Sequence, residues 1–262
     1  AGIGATASSG TDNVAVGSRA MESVTSGSNN AAVGKLALYS NTGGARDSGV
    51  GYYASFKNTT GSDNLSFGAE ALYENQTGSS NVGIGYRTLF KTTTGDNVAI
   101  GYTAMFENLT GTHNTAIGNN SFANITTGTN NVAIGASAGV GTKSGSNNVY
   151  IGYLSAYRGN TTTVESNQMY IGNGDALTKT WVRGDSLYNV GIGTITPTHK
   201  LHVANLSGGN PIMLGGLQAG STTDSIVSSA SGVLKRLSIQ QVVNANNAVS
   251  AGTAVTDNLT GT

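Results

Sequence analysis

The sequence predicts an all-β protein in which short parallel strands wind into a β-roll, or β-solenoid, with coils of 17 residues. Three observations carry this prediction. A phrase of Asn, an apolar residue, a small residue, Val or Ile, and Gly recurs along the first 152 residues. Glycine is abundant, with 39 among 262 residues, whereas proline occurs only twice. The period is too short for a helical hairpin repeat, and it suits short strands joined by tight corners.

Each coil is anchored by one glycine and one asparagine. The anchor glycines are spaced by 17 residues, with a single step of 16, and they are Gly17, Gly34, Gly51, Gly68, Gly85, Gly101, Gly118, Gly135 and Gly152. The anchor asparagines begin each phrase, with Asp47 standing in once, and they are Asn13, Asn30, Asn64, Asn81, Asn97, Asn114, Asn131 and Asn148. Asn and Asp make short side-chain to backbone bonds in corners, and glycine supplies positive φ or close backbone approach. We therefore predict nine coils over residues 1–155.

Strand alternation predicts which columns of side chains face the interior of the coil. The residue before each anchor glycine is Val, Ile or Phe, from Val16 to Ile151, and we expect this column to be buried. The column one residue earlier is mainly small, as at Ala15, and would face outwards. The residue four after the glycine, such as Met21, would lie in the core on a second strand of the coil.

A column of aromatic residues lies five residues after successive anchor glycines. Its members are Tyr39, Phe56, Tyr73, Phe90 and Phe106. Alternation places this column outside a thin coil, where a monomer in water would expose a hydrophobic strip. We expect the strip to be a subunit interface or a receptor contact. Three copies around one axis would also supply the volume that a single thin coil lacks, so we expect a homotrimeric fibre.

The regular repeat fades after Gly152. We predict transition coils over residues 156–203, ending in a strand around the Lys-Leu-His-Val sequence at 200–203. Residues 204–262 would form an irregular, β-rich C-terminal connector with a hairpin turning at Ser231-Gly232 and a short helix near 238–245. We expect the connector to continue past Thr262.

The repeated phrase resembles that of the head domains of trimeric autotransporter adhesins, a left-handed parallel β-roll whose coils carry Asn-x-Val-Ala-Ile-Gly. Asn-Val-Ala-Ile-Gly is intact at residues 97–101 and 131–135, with near copies at 13–17 and 114–118. The coils of those heads are a few residues shorter than the coils here. The resemblance implies a trimeric roll that mediates attachment.

A second resemblance covers residues 189–203, which read Asn-Val-Gly-Ile-Gly-Thr-Ile-Thr-Pro-Thr-His-Lys-Leu-His-Val. This segment is similar to the Val-Gly-Ile-Gly-Thr…Pro…Lys-Leu-His-Val motif of tail-fibre-like proteins of phages and of Bacteroidetes-type bacteria. Residues 224–238 are similar to the segment that follows this motif in such chains. The resemblance implies a fibre on a cell surface or a virion.

Composition excludes several classes of function. The chain has 13 basic and 13 acidic residues and a formal net charge of zero, so it lacks the basic face that phosphate neutralisation requires. It has no cysteine, which excludes zinc-thiolate sites and a cysteine nucleophile. No apolar run approaches the length of a spanning helix. We expect no nucleic-acid partner, no cofactor, no metal and no membrane insertion in this segment.

Several short motifs suggest chemistry, and the repeat explains most of them. Ser137 lies in a Gly-x-Ser-x-Gly pattern whose first glycine is a repeat anchor, and no helix follows it. Asp12, Asp63 and Asp96 precede anchor asparagines, where they could hold calcium but are expected to form turns. His199 and His202 are predicted on a strand, which separates them. The Arg-Gly-Asp tripeptide at 183–185 and the Asn-x-Ser/Thr sites at Asn58, Asn75 and Asn108 are expected by-products of composition.

These observations predict a non-enzymatic, extracellular fibre of the tail-fibre or adhesin type, on a cell surface or a virion. It would attach to a cell-surface glycan or protein receptor through weak sites multiplied by the trimer. One alternative is a structural spacer whose binding tip lies elsewhere. A minor alternative is a β-solenoid polysaccharide depolymerase, which would need a pair of carboxylates in a groove.

Overall fold

The structure, a computed structural model, describes residues 9–157, 165–174, 180–204, 225–228 and 235–238. All the regular elements in these ranges are strands, and the chain forms two compact units, Ala1–Pro211 and Ile212–Thr262. The strands of the first unit are β1 (Val14–Val16), β2 (Ala31–Val33), β3 (Ser48–Val50), β4 (Leu65–Phe67), β5 (Val82–Ile84), β6 (Val98–Ile100), β7 (Thr115–Ile117), β8 (Val132–Ile134), β9 (Val149–Ile151), β10 (Met169–Gly172), β11 (Thr180–Gly184), β12 (Val190–Ile192) and β13 (Leu201–Val203). The second unit contains β14 (Ser225–Ser228) and β15 (Lys235–Ser238).

The first thirteen strands form one sheet in sequence order, and the prediction of a parallel β-solenoid with coils of about 17 residues is confirmed. Strands β1 to β10 are all parallel, and each phrase pairs with the equivalent phrase of the next coil. Val14 is opposite Ala31, and Val98 is opposite Thr115. The repeat therefore fixes the register, because a slip by one residue would turn every side chain to the other face.

The prediction of a second strand in each coil is wrong. The segment after the anchor glycine is a series of turns, in which the second and fourth residues adopt left-handed φ values. Arg19 and Met21 have φ of 59° and 52°, and Leu36 and Leu38 have φ of 60° and 49°. The segment still bonds to its neighbours, since the Met21 N–H donates to the Ala37 carbonyl at 3.0 Å. Alternation of backbone handedness replaces the extended strand, and apolar composition alone does not reveal it.

The two faces of the strand are the reverse of the prediction. The column before each anchor glycine, expected to be buried, lies on the outer face, and the small column is buried. Long side chains from the turn segment fill the interior of the coil, so only small strand residues fit on the inner face. A Cβ on Gly49 would meet the Leu38 side chain at 3.1 Å, which leaves no room for Val or Ile on the inner face.

The core pairs a small strand residue with a large turn residue. The turn column four residues after the glycine is confirmed as core, and its fully buried large members are Met21, Leu38, Leu72, Leu89, Met105 and Phe122. One coil exchanges the sizes: Tyr150 occupies the strand position and Gly139 the turn position. A Cβ on Gly139 would meet the Tyr150 ring at 2.7 Å. Complementary volumes therefore keep the interior filled where the repeat departs from its consensus.

A buried ladder of hydrogen bonds runs along the anchor asparagines. In each coil from Asn13 to Asn148, the anchor carboxamide or carboxylate oxygen accepts from the N–H of the equivalent residue in the next coil, at 2.8–3.2 Å. The Asn30 amide also donates to the Gly44 carbonyl at 2.8 Å. These bonds satisfy buried corner groups that no strand partner reaches.

The parallel order changes after β10. Strand β11 is antiparallel to both β10 and β12, and β13 pairs in parallel with β12. Leu201–Val203 lies within the predicted Lys-Leu-His-Val strand. In the second unit, β14 and β15 are antiparallel, with Ser228 opposite Lys235. The predicted hairpin turn at 231–232 and residues 239–245 of the predicted helix lie outside the described residues.

Candidate functional site

The outer side of β1–β10 forms an uncharged and largely apolar surface, which we call the strand face; Ser48 and Thr115 are its polar members. It consists of the first and third residues of each of these ten strands. Val14 and Val16 are 57% and 54% exposed, Phe67 is 54% exposed, and Ile117 and Ile134 are 38% and 39% exposed. None of the residues of β1–β10 is charged. At about 4.8 Å per strand, ten rungs extend over roughly 45 Å. A long row of exposed apolar side chains of this kind is typical of an interaction surface.

The predicted aromatic column forms a second surface, which we call the ring ladder: Tyr39, Phe56, Tyr73, Phe90 and Phe106. Successive ring centres are 5.0–5.2 Å apart and the ring planes differ by 5–18°. The rings are half-buried. Because each inner ring covers the faces of its neighbours, the ladder exposes mainly ring edges, and its apolar exposure is smaller than the sequence indicates.

Cations lie beside four of the five rings of the ring ladder. They are Arg19 at 4.7 Å from the Tyr39 ring centre, Lys57 at 5.5 Å from Tyr73, Arg87 at 5.2 Å from Phe90 and Lys91 at 5.4 Å from Phe106. A cation near a ring face interacts with the ring quadrupole by about 0.5–1 kcal/mol at exposed sites. The ladder is therefore a mixed aromatic and cationic surface.

The carboxylates next to the ladder are paired with these cations and not with each other. Lys57 contacts Glu74 at 3.1 Å, and Lys91 contacts Glu107 at 2.8 Å, each pair joining successive coils. Arg87 likewise reaches Glu70 of the preceding coil at 2.6 Å. Exposed pairs of this kind contribute little stability, typically below about 1 kcal/mol. The depolymerase alternative requires two carboxylates facing one groove, and these acidic residues are used differently.

Asp47 occupies an anchor position as a buried carboxylate. Its Oδ1 accepts from the Asn64 N–H at 2.9 Å, and its Oδ2 accepts from the Asn58 amide at 2.9 Å. Burial raises the pKa of the Asp47 carboxyl from its ordinary 3.8 to about 7, and the bonds from Asn64 and Asn58 oppose this rise. Asp47 is in none of the ion pairs of the described residues, so its buried charge is costly in this environment.

The candidate serine and aspartates lie in turn positions. Ser137 is the second residue after an anchor glycine and has φ of 56°, as its equivalents in other coils do. Asp12, Asp63 and Asp96 have φ of 59°, 61° and 61°, a conformation that Asp tolerates well. Arg46 pairs with Asp63 at 2.5 Å, and this hydrogen bond lowers the pKa of the Asp63 carboxyl.

Both charged side chains of the Arg-Gly-Asp tripeptide form contacts within the first compact unit. Arg183 donates to Gln168 at 2.9 Å and lies 4.8 Å from the Tyr170 ring centre. Asp185 accepts from the N–H groups of Leu187 and Asn189, each at 2.9 Å. Neither charged group is presented on an extended loop.

The histidine pair and the glycosylation motifs are also placed. His199 and His202 have ring centres 6.3 Å apart, and His202 lies on β13. Asn58, Asn75 and Asn108 are fully buried, and each amide donates to the carbonyl of the glycine three residues later, at 2.8–3.0 Å. These three asparagines are structural, and the folded protein does not present them to a modifying enzyme.

The described residues contain neither a metal-binding cluster nor a helix that could span a membrane. No group of three or more His, Asp or Glu side chains there could hold a metal ion. No helix of that part of the chain has the length and apolar character needed to cross a bilayer. The sequence pattern wrongly assigned the strand face to the interior. It does show that the aromatic column stops after Phe106, because Ala123 is an exception to the column. The interruption is visible in the sequence as the missing sixth ring.

Comparison with models of protein families, with curated proteins and with solved structures finds no match to this chain.

Proposed function

We propose that this chain is a non-enzymatic fibrous surface protein of the tail-fibre or adhesin type, which attaches to a host cell surface through a rigid homotrimeric β-roll. It acts outside the cell, on a cell surface or a virion. Its partners are two further copies of itself and a cell-surface glycan or protein. The resemblances of the repeated phrase and of residues 189–203 support this proposal, together with the surfaces described above.

The strand face carries the proposal of self-association. It is largely apolar, free of charge and repeated at the spacing of one coil along ten rungs. A partner must match that spacing along its whole length, and a second copy of the same chain does so by construction. The face replaces the ring ladder as the expected interface, because stacking already shields most of the ring surface.

Rigidity follows from the way successive coils are joined. Each coil bonds to the next through the strand ladder, the turn backbone and the buried anchor asparagines. Repeat proteins of this kind gain stability mainly from interfaces between neighbouring repeats. The proposed mechanism is mechanical, since a stiff array holds many weak contacts in fixed positions and multiplies them by avidity.

Attachment is tested with the full chain on a glycan array and on cells. We expect binding that Tyr39→Ser combined with Tyr73→Ser reduces at least tenfold, with sedimentation showing that the oligomer persists. The matched control is Tyr188→Ser, which removes a tyrosine that is 82% exposed and lies outside the ring ladder. Equal loss of binding in the control variant would contradict attachment through the ladder surface.

The second candidate is the structural spacer, and one observation favours it. The inner rings of the ladder cover each other and so offer few open faces to a ligand. Under this candidate the intact oligomer binds neither the array nor cells. The same experiment therefore separates the two functions.

A further inference from the structure

The two ends of the ring ladder differ. At the first end, the Arg19 guanidinium lies 4.7 Å from the Tyr39 ring centre and donates to the Tyr39 hydroxyl at 2.6 Å. At the other end, Phe106 stacks on Phe90 at 5.1 Å, and the next coil carries Ala123 where a sixth ring would stand. One face of Phe106 is therefore not covered by another ring of the described chain.

A pocket of about 290 Å³ opens at this missing ring. Its floor and walls include Phe106, Ala123, Thr103, Glu107, Asn120 and Asn124. Tyr86 and Tyr102 complete one side, and their rings are stacked with centres 5.3 Å apart. The site thus combines one flat aromatic face with a surrounding set of amide, hydroxyl and carboxylate groups, the combination that small-molecule sites use for orientation and specificity.

We propose that this pocket binds one pyranose ring of a glycan, which takes the place of the missing sixth ring of the ladder. A pyranose ring has a face of C–H groups that packs on the electron-rich face of an aromatic ring. Its hydroxyls radiate near the plane of the ring, where the polar groups of the pocket lie. This inference rests on the proposed attachment function, and it names the ligand class and one binding site at the end of the ring ladder.

The polar groups of the pocket favour a sugar over an aromatic peptide side chain. Within the described part of the chain, the Asn124 amide has no hydrogen-bond partner. Asn120 uses its Oδ1 to accept from the Thr103 hydroxyl, and its side-chain NH₂ group has no partner in the same range. A bare aromatic ring would remove these amides from water without replacing their bonds, which is unfavourable. The hydroxyl groups of a sugar would replace the hydrogen bonds that these amides make to water.

The pocket depends on neighbouring contacts that fix its wall. Lys91 holds the Glu107 carboxylate at 2.8 Å and lies 5.4 Å from the Phe106 ring centre. Arg87, at the other side, is held by Glu70 at 2.6 Å. Both pairs join successive coils, so the wall is preorganised by the repeat. A single ring of this size binds weakly, with a Kd on the order of 1 mM, and attachment would require several copies.

The test is saturation-transfer difference NMR on the full chain with a panel of methyl hexopyranosides. We expect signal transfer to the C–H protons of at least one pyranoside. Ala123→Tyr fills the pocket by continuing the ladder, and we expect it to reduce the transfer at least fivefold while leaving the melting temperature unchanged or higher. Ser18→Tyr is the matched control, because it adds an exposed ring in the first coil at the column that carries Tyr52. The control is expected to bind as the parent does.

A second variant keeps the test decisive should Ala123→Tyr fold poorly. Asn124→Ala removes an amide that makes no bond in the described chain, so we expect normal stability and a transfer signal reduced at least threefold. No transfer from any pyranoside overturns the inference, as does transfer that both variants leave unchanged. Transfer to N-acetyl-tyrosinamide alone also overturns it, in favour of a peptide ligand. If Ala123→Tyr loses sugar binding but still attaches to cells, the attachment proposal stands without this pocket.

Discussion

Each anchor glycine meets two requirements that other residues cannot meet together. The nine glycines have φ between 116° and 139°, a range that side chains rarely adopt. From Gly17 to Gly135, an added Cβ would also lie 2.4–2.6 Å from the carbonyl oxygen of the next anchor glycine. The repeated glycine is thus a condition for stacking and not only a turn former.

Gly101→Ala is expected to lower the free energy of unfolding by about 3 kcal/mol or more, because both the φ of 134° and the 2.4 Å approach to Gly118 are violated. Gly43→Ala is the control, since its Cβ would meet nothing closer than 3.5 Å. That variant should change stability by less than about 1 kcal/mol. Chemical denaturation followed by circular dichroism measures both, and equal effects would contradict the stacking argument.

The raised pKa of the buried Asp47 carboxyl predicts that the stability of the protein depends on pH. The folded state holds the carboxyl proton more tightly than the unfolded chain does, because the pKa rises to about 7 on folding. Between roughly pH 4 and pH 7 the native state therefore binds more protons, and this group makes stability fall as pH rises through that window. Above the window the buried charge opposes folding fully.

Asp47→Asn restores the residue found at this position in the other coils, and it is expected to stabilise the protein on the order of 2 kcal/mol at pH 8. The gain should shrink as the pH falls, and it is smallest below pH 3.8, where the parent carboxyl is protonated in both states. The new amide can also donate to the Gly61 carbonyl, as Asn30 donates to Gly44 at 2.8 Å. Asp63→Asn is the control, since Arg46 lowers the pKa of that carboxyl, and it should not raise stability at pH 8.

At the scale of elements, one coil consists of a three-residue strand and a long series of turns. The sequence predicts the strand correctly, because its β-branched residues lie between Asn and Gly. It fails for the second half of the coil, where Leu, Met and aromatic residues occupy left-handed positions. Such positions normally favour Gly or Asn, and the contacts with neighbouring coils hold them here.

Deletion of residues 69–85 removes one complete coil and joins Gly68 to Tyr86 in register. We expect the shortened protein to fold and to give a circular dichroism spectrum of the same shape. After the deletion, each residue still pairs with the equivalent residue of the neighbouring coil. Deletion of residues 69–77 is the control and removes half a coil, including the core residue Leu72. That variant should lose protease resistance, whereas equal resistance of both variants would contradict the coil as the structural unit.

At the scale of the whole molecule, charge and surface pattern both permit self-association. The chain has a formal net charge of zero, so copies do not repel each other strongly. The strand face offers an uncharged apolar surface at the repeat spacing. Apolar surface removed from water contributes roughly 25 cal/mol per Å², so burial of this face would favour association.

Ile117→Glu places a charge in the middle of the strand face, and we expect it to dissociate the oligomer. Sedimentation equilibrium should show three chains of 26.4 kDa for the parent and one chain for the variant. Thr110→Glu is the control, because Thr110 is exposed on a turn outside this face. A parent that sediments as a single folded chain would contradict the trimer, and an unaffected Ile117→Glu oligomer would move the interface elsewhere.

The period, the parallel register and the identity of the core column in the turns all follow from the amino-acid sequence. They do so because equivalent residues must stack on each other, and a recurring phrase leaves only one alignment. The aromatic column and its interruption at Ala123 are also readable, although only the structure shows stacked rings and a pocket at the break.

The tertiary structure decided which face of the strand points inwards. Alternation defines two faces but does not say which is inside, and hydrophobicity favoured Val and Ile for the interior. The turns instead project Met, Leu and Phe across a narrow coil, so that only Ala, Gly or Ser fits opposite them. The volume between the strand backbone and the turn backbone therefore determines which strand face is buried. That volume depends on left-handed turn residues, which the sequence pattern does not predict.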